Sequence, residues 1–401
     1  MRHLFFFFLA LALAATACST SRNGISSKHL RHARAILATT PIVDTHIDFP
    51  WHLAESKKWF KPGYTSWALK NPDGDFDYER AKQGGLYGPF MSIYIPAIYQ
   101  KTPGRSKQVA DSLIDVVREV AAAYPDKFAL APRADDITAN FRRGIISLPM
   151  GMENGSPMEH LSDVEHFHRR GIRYVTLTHG RDNLICDSSY DTLHTHHGLS
   201  EYGRSVVREM NRLGIMVDVS HLSDESITDV LQVAKKPLIA THSGCRHFTP
   251  GFERNLPDSF IVAIAKTGGV VQVPFSMYFL TSKHRAAWNK ASEERKARNI
   301  PEHGPEARKF YVEYAQRTGE PVYASIRDVA DQIDHIKRLV GIDHVGLGSD
   351  FDGVGLALPP DLADVSHFPN LLAELLRRGY KDAEIRKICS ENVLRVWRAN
   401  E

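Results

Sequence analysis

Several features common in proteins are scarce in this 401-residue sequence, and each scarcity excludes a class of structure or partner. The four cysteines, Cys18, Cys186, Cys245 and Cys389, lack CxxC spacing, so neither a disulfide framework nor a structural zinc cluster is expected. Only a single Cys186–Cys245 bridge is left open. The 50 basic residues nearly balance the 47 acidic ones, and a net charge of +3 gives no reason to expect nucleic acid as a partner.

One strongly apolar run is present, LFFFFLALALAATA, directly after two basic residues at the N-terminus. It is too short for a membrane span and ends in small residues, which is typical of an export signal. It leads into ATAC, which resembles the lipobox of bacterial lipoproteins, with alanine where leucine is usual. We therefore predict a signal peptide over 1–17, lipidation of Cys18 and a polar linker over 18–37. An ordinary signal peptide with a coincidental cysteine is the alternative.

Lipidation predicts where the mature protein resides. Ser19 directly after the cysteine favours retention in the outer membrane if the host is Gram-negative. The protein is then exported and held at the periplasmic face of that membrane by its lipid anchor.

Short apolar segments rich in β-branched residues alternate with amphipathic helical patterns along the rest of the chain. Eight such segments predict a single (β/α)8 barrel of the TIM type over 38–401. A doubly wound open sheet is the alternative, but no glycine-rich phosphate loop follows the first segment. The charged, helical stretch 277–321 follows the seventh strand, and we interpret it as a lid or an oligomer contact, so a homodimer is left open. Two helices end the chain. The predicted strands are 40–46, 88–96, 145–153, 172–179, 214–221, 237–242, 268–275 and 344–350.

Six of these strands end on a side chain that binds metals or transfers protons. A metallohydrolase needs this arrangement, because its cation must be held from several directions while one position stays open to water. His46 and Asp48 are two apart in an extended backbone and can share one cation. Glu153 follows a run without other charges, so a cation or an arginine must meet its carboxylate, whose two oxygens can bridge two metals. A local salt bridge is the alternative for Glu153.

The remaining strand ends complete this constellation. His221 and His242 end consecutive strands and should lie side by side, with imidazoles that suit zinc. His179 is either a further ligand or an oxyanion donor. Asp350 ends the last strand, next to the first, and can orient a metal-bound water and pass its proton to a leaving amine. Asp352 is its competitor, and for the histidines the plainer interpretation is rim residues bonded to loop carbonyls.

Together these segments resemble the membrane dipeptidase (renal dipeptidase) family, metallopeptidases within the amidohydrolase-like barrels. The resemblance covers roughly residues 38–275 and 323–398. It implies an enzyme that hydrolyses dipeptides with two zinc ions per chain. The motifs that carry it are VDTHIDFPW, GGLYGPFMSIYIP, GMENG, YVTLTHGRDN, GLSEYGRSVVREMNRLGIMVDVSHLS, ATHS, ERNLPD and VGLGSDFDGV.

The resemblance also implies which residues hold the metals. His46 and Asp48 match the ligands of one ion, and His221 and His242 those of the other. Glu153 matches the carboxylate that bridges the two ions. A hydroxide held between the metals is then the expected nucleophile.

Three further positions match residues of that family that act on the substrate. His179 and Arg254 are expected to contact it, and Asp350 is expected over the metals as the proton-transfer residue. The guanidinium of Arg254 suits the terminal carboxylate of a dipeptide. The chain departs from the animal relatives in its larger 277–321 insertion, in lacking their evident cysteine pairs, and in lacking a C-terminal lipid-anchor signal.

These expectations describe an exported zinc dipeptidase, and the sequence leaves open whether its substrates include L,D-dipeptides. One alternative is another binuclear hydrolase of the amidohydrolase-like barrels, acting on cyclic amides, lactones or phosphotriesters. Such relatives typically carry HxH after the first strand, whereas this chain has HID. The other alternative is a catalytically silent surface lipoprotein that only binds peptides.

Overall fold

The computed structural model describes residues 26–59 and 61–401, so the predicted signal peptide, Cys18 and the start of the linker lie outside the described residues. The strands are β1 (Ile42–Ile47), β2 (Leu86–Tyr94), β3 (Phe128–Leu130), β4 (Ile146–Leu148), β5 (Met150–Glu153), β6 (Ile172–Thr176), β7 (Met216–Asp218), β8 (Ile239–Ala240), β9 (Val270–Val273) and β10 (Val345–Leu347).

Eight of these strands are parallel and close into a barrel in the order β1-β10-β9-β8-β7-β6-β5-β2, while β3 and β4 form a separate two-stranded sheet. Closure joins the first strand to the last, with Asp44 opposite Leu347. The predicted (β/α)8 barrel is confirmed, and the open sheet was wrong.

Helices surround the barrel and fill the insertion. Ser223 caps the helix Asp224–Val233 by accepting a hydrogen bond from the Ser226 N–H at 3.1 Å. Asp258 is the first residue of a helix that Pro257 precedes. The helices are α1 (Ser27–Leu37), α2 (Phe49–Glu55), α3 (Tyr78–Gly84), α4 (Arg105–Ala123), α5 (Ala134–Arg142), α6 (Leu161–Arg170), α7 (Glu201–Leu213), α8 (Asp224–Val233), α9 (Asp258–Lys266), α10 (Met277–Leu280), α11 (Ser282–Ala297), α12 (Pro305–Thr318), α13 (Ile326–Val340), α14 (Phe368–Arg377), α15 (Asp382–Arg386) and α16 (Asn392–Asn400).

The strand predicted over 145–153 is in fact two strands. Its first part, β4, pairs with β3, and only β5 enters the barrel. Pro149 separates them, and a proline cannot donate a ladder hydrogen bond. Its carbonyl still accepts from the Met91 N–H at 2.8 Å, which keeps β2 beside this segment.

The linker predicted over 18–37 is too long, because α1 occupies its second half. Ala33, Ile36 and Leu37 are buried, and the helix packs against α14. These apolar residues are spaced three and four apart among charged ones, so the helical pattern is present but inconspicuous. The folded part of the chain therefore begins before residue 38.

The C-terminal helix α16 closes one end of the barrel. Its Trp397 is fully buried in a cluster with residues at the starts of barrel strands, such as Met216 and Val270. The Trp397 ring lies 5.1 Å from that of Phe90, which lies 5.5 Å from that of Tyr174 inside the barrel. This helix does not cover the opposite end of the barrel, where the strands finish and a functional site can lie.

Cys186, Cys245 and Cys389 are buried and free, so the bridge left open by the sequence is not formed. Within the part of the chain that the structure describes, no helix is both long and apolar enough to cross a membrane.

Candidate metal centre and active site

The carboxyl ends of the barrel strands bring the predicted residues together at one mouth, as parallel strands must. Each residue lies at the end of its strand or within three residues after it. The residues are His46 and Asp48 at β1, Glu153 at β5, His179 after β6, His221 after β7, His242 after β8 and Asp350 after β10.

Glu153 lies at the centre of this cluster. Its Oε1 is 3.1 Å from His221 Nε2 and 3.2 Å from His242 Nε2, while its Oε2 is 3.5 Å from His46 Nε2. The Nε2 atoms of His221 and His242 are 2.9 Å apart. The two oxygens of one buried carboxylate thus face two different sets of imidazoles, which is the geometry a bridging ligand requires.

The residues present fit a metal centre. His46 Nε2 and Asp48 Oδ1 are buried and have no hydrogen-bond partner among the described residues, which is costly without a cation. Imidazole and carboxylate donors suit zinc and its neighbours in the transition series. Ligand atoms lie within 4.8 Å of one another in three groups that share members: His46, Glu153 and His242; Glu153, His179 and His221; and His46, Asp48 and Asp350.

His46 is oriented from beneath by Tyr174. The Tyr174 hydroxyl donates to the Thr45 carbonyl at 2.9 Å, so its oxygen accepts from His46 Nδ1 at 3.0 Å. This places the proton of the His46 ring on Nδ1 and leaves Nε2 with a lone pair aimed at the centre.

His242 is oriented in the same way through Thr241. The Thr241 hydroxyl donates to Asp218 Oδ2 at 2.6 Å and can therefore accept from His242 Nδ1 at 2.8 Å. Asp218 is buried, and its other oxygen accepts the backbone N–H groups of Thr241 and Ser220. Sequence reasoning missed Tyr174, Thr241 and Asp218.

The electrostatics of the cluster differ between its histidines. Burial lowers the pKa of His46, but the negative groups around it, Tyr174, Glu153 and Asp48, raise this pKa well above its usual range, so a cation must displace a proton there. Burial lowers the pKa values of His221 and His242 well below their usual range, so both rings are neutral. Burial alone would raise the pKa of Glu153, but the facing imidazoles, His46 first, hold it well below its usual range. Burial raises the pKa of Asp350 to about 7, opposed by the charge of His46.

His179 differs from the other histidines in its accessibility. Its side chain is 24% exposed, whereas that of His242 is 1% exposed, and its Nε2 is 3.8 Å from Glu153 Oε1. The Tyr94 ring meets it edge-on with centroids 4.7 Å apart. His179 therefore borders the cavity and can reach a bound molecule.

Arg254, identified only through the resemblance, also lies at the site. It is 2% exposed and donates from Nη1 to Ser243 Oγ at 3.0 Å and from Nη2 to the His242 carbonyl at 2.8 Å. Its Nη2 is also 3.0 Å from His221 Nε2. No local sequence pattern around ERNLPD predicts that Arg254 lies at the site.

Two of the site residues have a left-handed backbone, with φ of 70° at His221 and 68° at Asp350. Such strain costs on the order of 1 kcal/mol at each residue and persists where the surroundings enforce it. A Cβ on Gly353 would lie 2.2 Å from Asp48 Oδ2 and 2.6 Å from Asp350 Oδ1, so this turn requires glycine.

Asp352, the competitor of Asp350, has other partners. Its backbone N–H donates to Asp75 Oδ2 at 2.9 Å, and the Asp75 N–H donates to Asp352 Oδ1 at 2.5 Å. Asp352 therefore ties the loop after β10 to the loop after α2, whereas Asp350 groups with His46 and Asp48.

The metal-type residues open into a cavity of about 510 Å³. The 277–321 insertion contributes to its wall, and the loop between α11 and α12 reaches the loop after β10, where the His303 ring lies 3.1 Å from a Cβ built on Gly355. An adjoining cavity of about 1220 Å³ is lined by none of the five predicted metal ligands. Residues that line the catalytic cavity include Trp51, Glu55, Tyr94, Tyr190, Tyr278, Phe279, Glu302 and His303.

A TIM-type barrel that gathers buried histidines and carboxylates at the carboxyl ends of its strands has the architecture of a metal-dependent enzyme. The sequence profile of the membrane dipeptidase family, peptidase family M19, matches residues 30–401, and the chain belongs to this family. It is a metallo-dipeptidase, which decides against the silent lipoprotein and against the other hydrolases considered above.

Relatives and solved structures agree with this assignment. An uncharacterised dipeptidase of Schizosaccharomyces pombe is 33% identical over 387 residues, covering 92% of this chain and 83% of that protein. The crystal structure of the probable dipeptidase PvdM from Pseudomonas aeruginosa is similar with a TM-score of 0.77 at 26% identity, covering 93% of this chain and 98% of that one. A metallopeptidase from Rhodobacter sphaeroides, liganded with a phosphinate mimic of the dipeptide L-Ala-D-Ala, has a TM-score of 0.73 at 26% identity, covering 90% and 100%.

Proposed function

We propose that this metallo-dipeptidase uses two zinc ions and hydrolyses L,L-dipeptides and also dipeptides with a D-residue at the C-terminal position. The observation that carries the binuclear site is the Glu153 carboxylate, whose oxygens face His46 on one side and the His221–His242 pair on the other. The mimic of L-Ala-D-Ala bound by the Rhodobacter sphaeroides relative supports the L,D-dipeptides.

In this proposal His46 and Asp48 would hold one ion, His221 and His242 would hold the other, and Glu153 would serve both. When bound, the ions supply Lewis acidity and a water activated as nucleophile. Tyr174 and Thr241 keep two of the ligand rings in the tautomer that leaves Nε2 free.

Three other residues act on the substrate. Arg254 receives the terminal carboxylate, because its guanidinium is buried at the site and held in place by Ser243 and the His242 carbonyl. His179 borders the cavity and donates a hydrogen bond to the carbonyl oxygen as negative charge develops on it. Asp350 accepts the proton of the attacking water and passes it to the departing amine.

The size of the site supports a dipeptide as substrate. A cavity of about 510 Å³ lies within the range of small-molecule sites, and the insertion walls one side of it. A carboxylate held by Arg254 close to the proposed ions leaves room for few residues between the free C-terminus and the bond that is cleaved.

The proposed function is tested by stripping the purified mature protein of metal and assaying L-Ala-L-Ala and L-Ala-D-Ala after zinc is restored. Activity should return on both substrates as zinc approaches two equivalents. Glu153→Gln should lose metal and activity by more than the roughly 10- to 100-fold that a change beyond the direct ligands produces. Glu313→Gln, which does not line the catalytic cavity, serves as control. Full activity and metal content in Glu153→Gln would remove the bridging role.

We also propose that the enzyme is exported and anchored to a membrane through lipidated Cys18, at the periplasmic face of the outer membrane in a Gram-negative host. Cys18→Ser should release or mislocalise the protein without changing the activity of the purified enzyme, because α1 lies between this cysteine and the first barrel strand in the sequence. Mass spectrometry of the mature N-terminus tests the modification directly, and an unmodified N-terminus at another residue would contradict it. Light scattering of the purified protein tests the homodimer.

A further inference from the structure

A second group of metal-type side chains lies outside the catalytic cavity. It consists of His247 in the short helical turn Arg246–Phe248, Asp258 at the start of α9, and His335 on α13. Their ligand atoms lie within 4.8 Å of one another. We propose that these three residues form an additional site for a divalent transition-metal ion, with Zn²⁺ as the representative ligand.

The geometry of the group supports one shared ion. His335 Nε2 is 2.8 Å from Asp258 Oδ1, and the rings of His247 and His335 stack with centroids 4.4 Å apart and planes 20° from parallel. His335 is buried while His247 is exposed, so an ion can enter from solvent on the His247 side. All three residues lie outside the set that lines the catalytic cavity.

The donor types select the class of ion. Two imidazoles and one carboxylate suit zinc, nickel and copper, whereas calcium and magnesium prefer sites made of oxygen ligands. Three protein ligands leave a fourth tetrahedral position to water. A histidine paired with one aspartate is common on protein surfaces, and the second imidazole is what distinguishes this group.

An ion bound to these three residues would connect separate parts of the fold. His247 and Asp258 lie at the two ends of the loop that carries Arg254. His335 belongs to α13, which packs against α9, the helix that follows this loop. The chain just before this loop is already tied to α13, because the Cys245 N–H donates to Gln332 Oε1 at 2.7 Å. An ion at the group would join both ends of the Arg254 loop to α13.

The chain offers a matched control for the test. His32 pairs with Asp382 at 3.0 Å on the surface of the protein, and each side chain is about half exposed. This pair has a histidine and an aspartate but is not joined by a second imidazole in any of the ligand groups found among the described residues.

The experiment compares the wild type with His247→Ala, Asp258→Asn and His32→Ala, all as mature protein with the active-site metals in place. After equilibrium dialysis against Zn²⁺, elemental analysis should find one equivalent fewer in His247→Ala and Asp258→Asn than in the wild type and in His32→Ala. Excess Zn²⁺ should also raise the melting temperature of the wild type more than that of His247→Ala. Dipeptidase activity reports that the catalytic centre is intact in each variant. Equal zinc content in the wild type and both site variants, or the same loss in His32→Ala, would overturn the proposal.

Discussion

The Tyr174 hydroxyl, inside the barrel, fixes the tautomer of His46, a proposed metal ligand. Tyr174→Phe removes the acceptor of the His46 Nδ1 proton and leaves the Thr45 carbonyl without this donor. We expect metal affinity and kcat/KM to fall by roughly 10- to 100-fold. Zinc titration of the stripped protein and steady-state kinetics measure the two effects.

Tyr202→Phe is the matched control for this change, because its hydroxyl donates to the Met158 carbonyl at 2.8 Å and belongs to a helix outside the site. If Tyr174→Phe and Tyr202→Phe bind zinc equally well, Tyr174 does not orient His46.

Arg254 determines whether the substrate needs a free C-terminus. Amidating a dipeptide removes a charge-assisted pair of roughly 1.5 to 3 kcal/mol, which is about a ten- to hundredfold loss in kcat/KM. Arg254→Met should lose a similar amount on the free acid but little more on the amide, because both changes delete the same contact. The four kcat/KM values form the test. Two independent losses that multiply would mean that the carboxylate binds elsewhere.

The residues at the site divide into those that sequence patterns predict and those that they do not. His46, Glu153 and His242 were predictable because chemically distinctive side chains end apolar strands. Tyr174 and Thr241 act from inside the barrel, where inward-facing residues of any strand look alike in sequence. Their partners come from other strands and are set by barrel closure, which no local pattern encodes.

The 277–321 insertion supplies part of the wall of the site through the loop between α11 and α12. Glu302 lines the catalytic cavity together with Glu55, so this acidic lining favours a cationic group. Glu302→Gln should lower kcat/KM for dipeptides with a basic N-terminal residue by about 1.5- to 5-fold relative to Ala-Ala, since exposed ion pairs contribute little.

Added salt should shrink this preference in the wild type, and kinetics at two ionic strengths measure it. Glu313→Gln provides the comparison, because Glu313 belongs to the same insertion but does not line the catalytic cavity. An identical change in both variants would show that Glu302 acts only through net charge.

Strands and helices were predicted well where their hydrophobic periodicity was strong. They were predicted poorly where contacts with distant parts of the chain decide the local structure. The barrel strands and the long amphipathic helices are as expected. The division of 145–153 depends on which partner each half finds, β3 or the barrel. The helix α1 was missed because its charged residues suggest a solvated linker, although α14 covers its apolar side.

The C-terminal helix α16 is part of the barrel's core rather than an appendage. Trp397→Ala should lower the free energy of unfolding by about 3 to 5 kcal/mol, because the buried ring leaves a cavity beneath Phe90. Arg398→Ala on the same helix breaks only an exposed pair with Asp135 and should change it by less than about 0.5 kcal/mol. Urea unfolding of both variants makes the comparison, and equal stabilities would contradict the structural role of Trp397.

The pairing of β1 with β10 has a consequence for how the protein is made. Asp44 emerges from the ribosome long before its partner Leu347, and at 5 to 20 residues per second the interval is roughly 15 to 60 s. The helix that seals the barrel is later still, since it ends at Asn400. Until then the nascent chain cannot close its barrel. An unclosed chain can still be threaded through a membrane, so this late closure suits a protein that we propose to be exported before it folds.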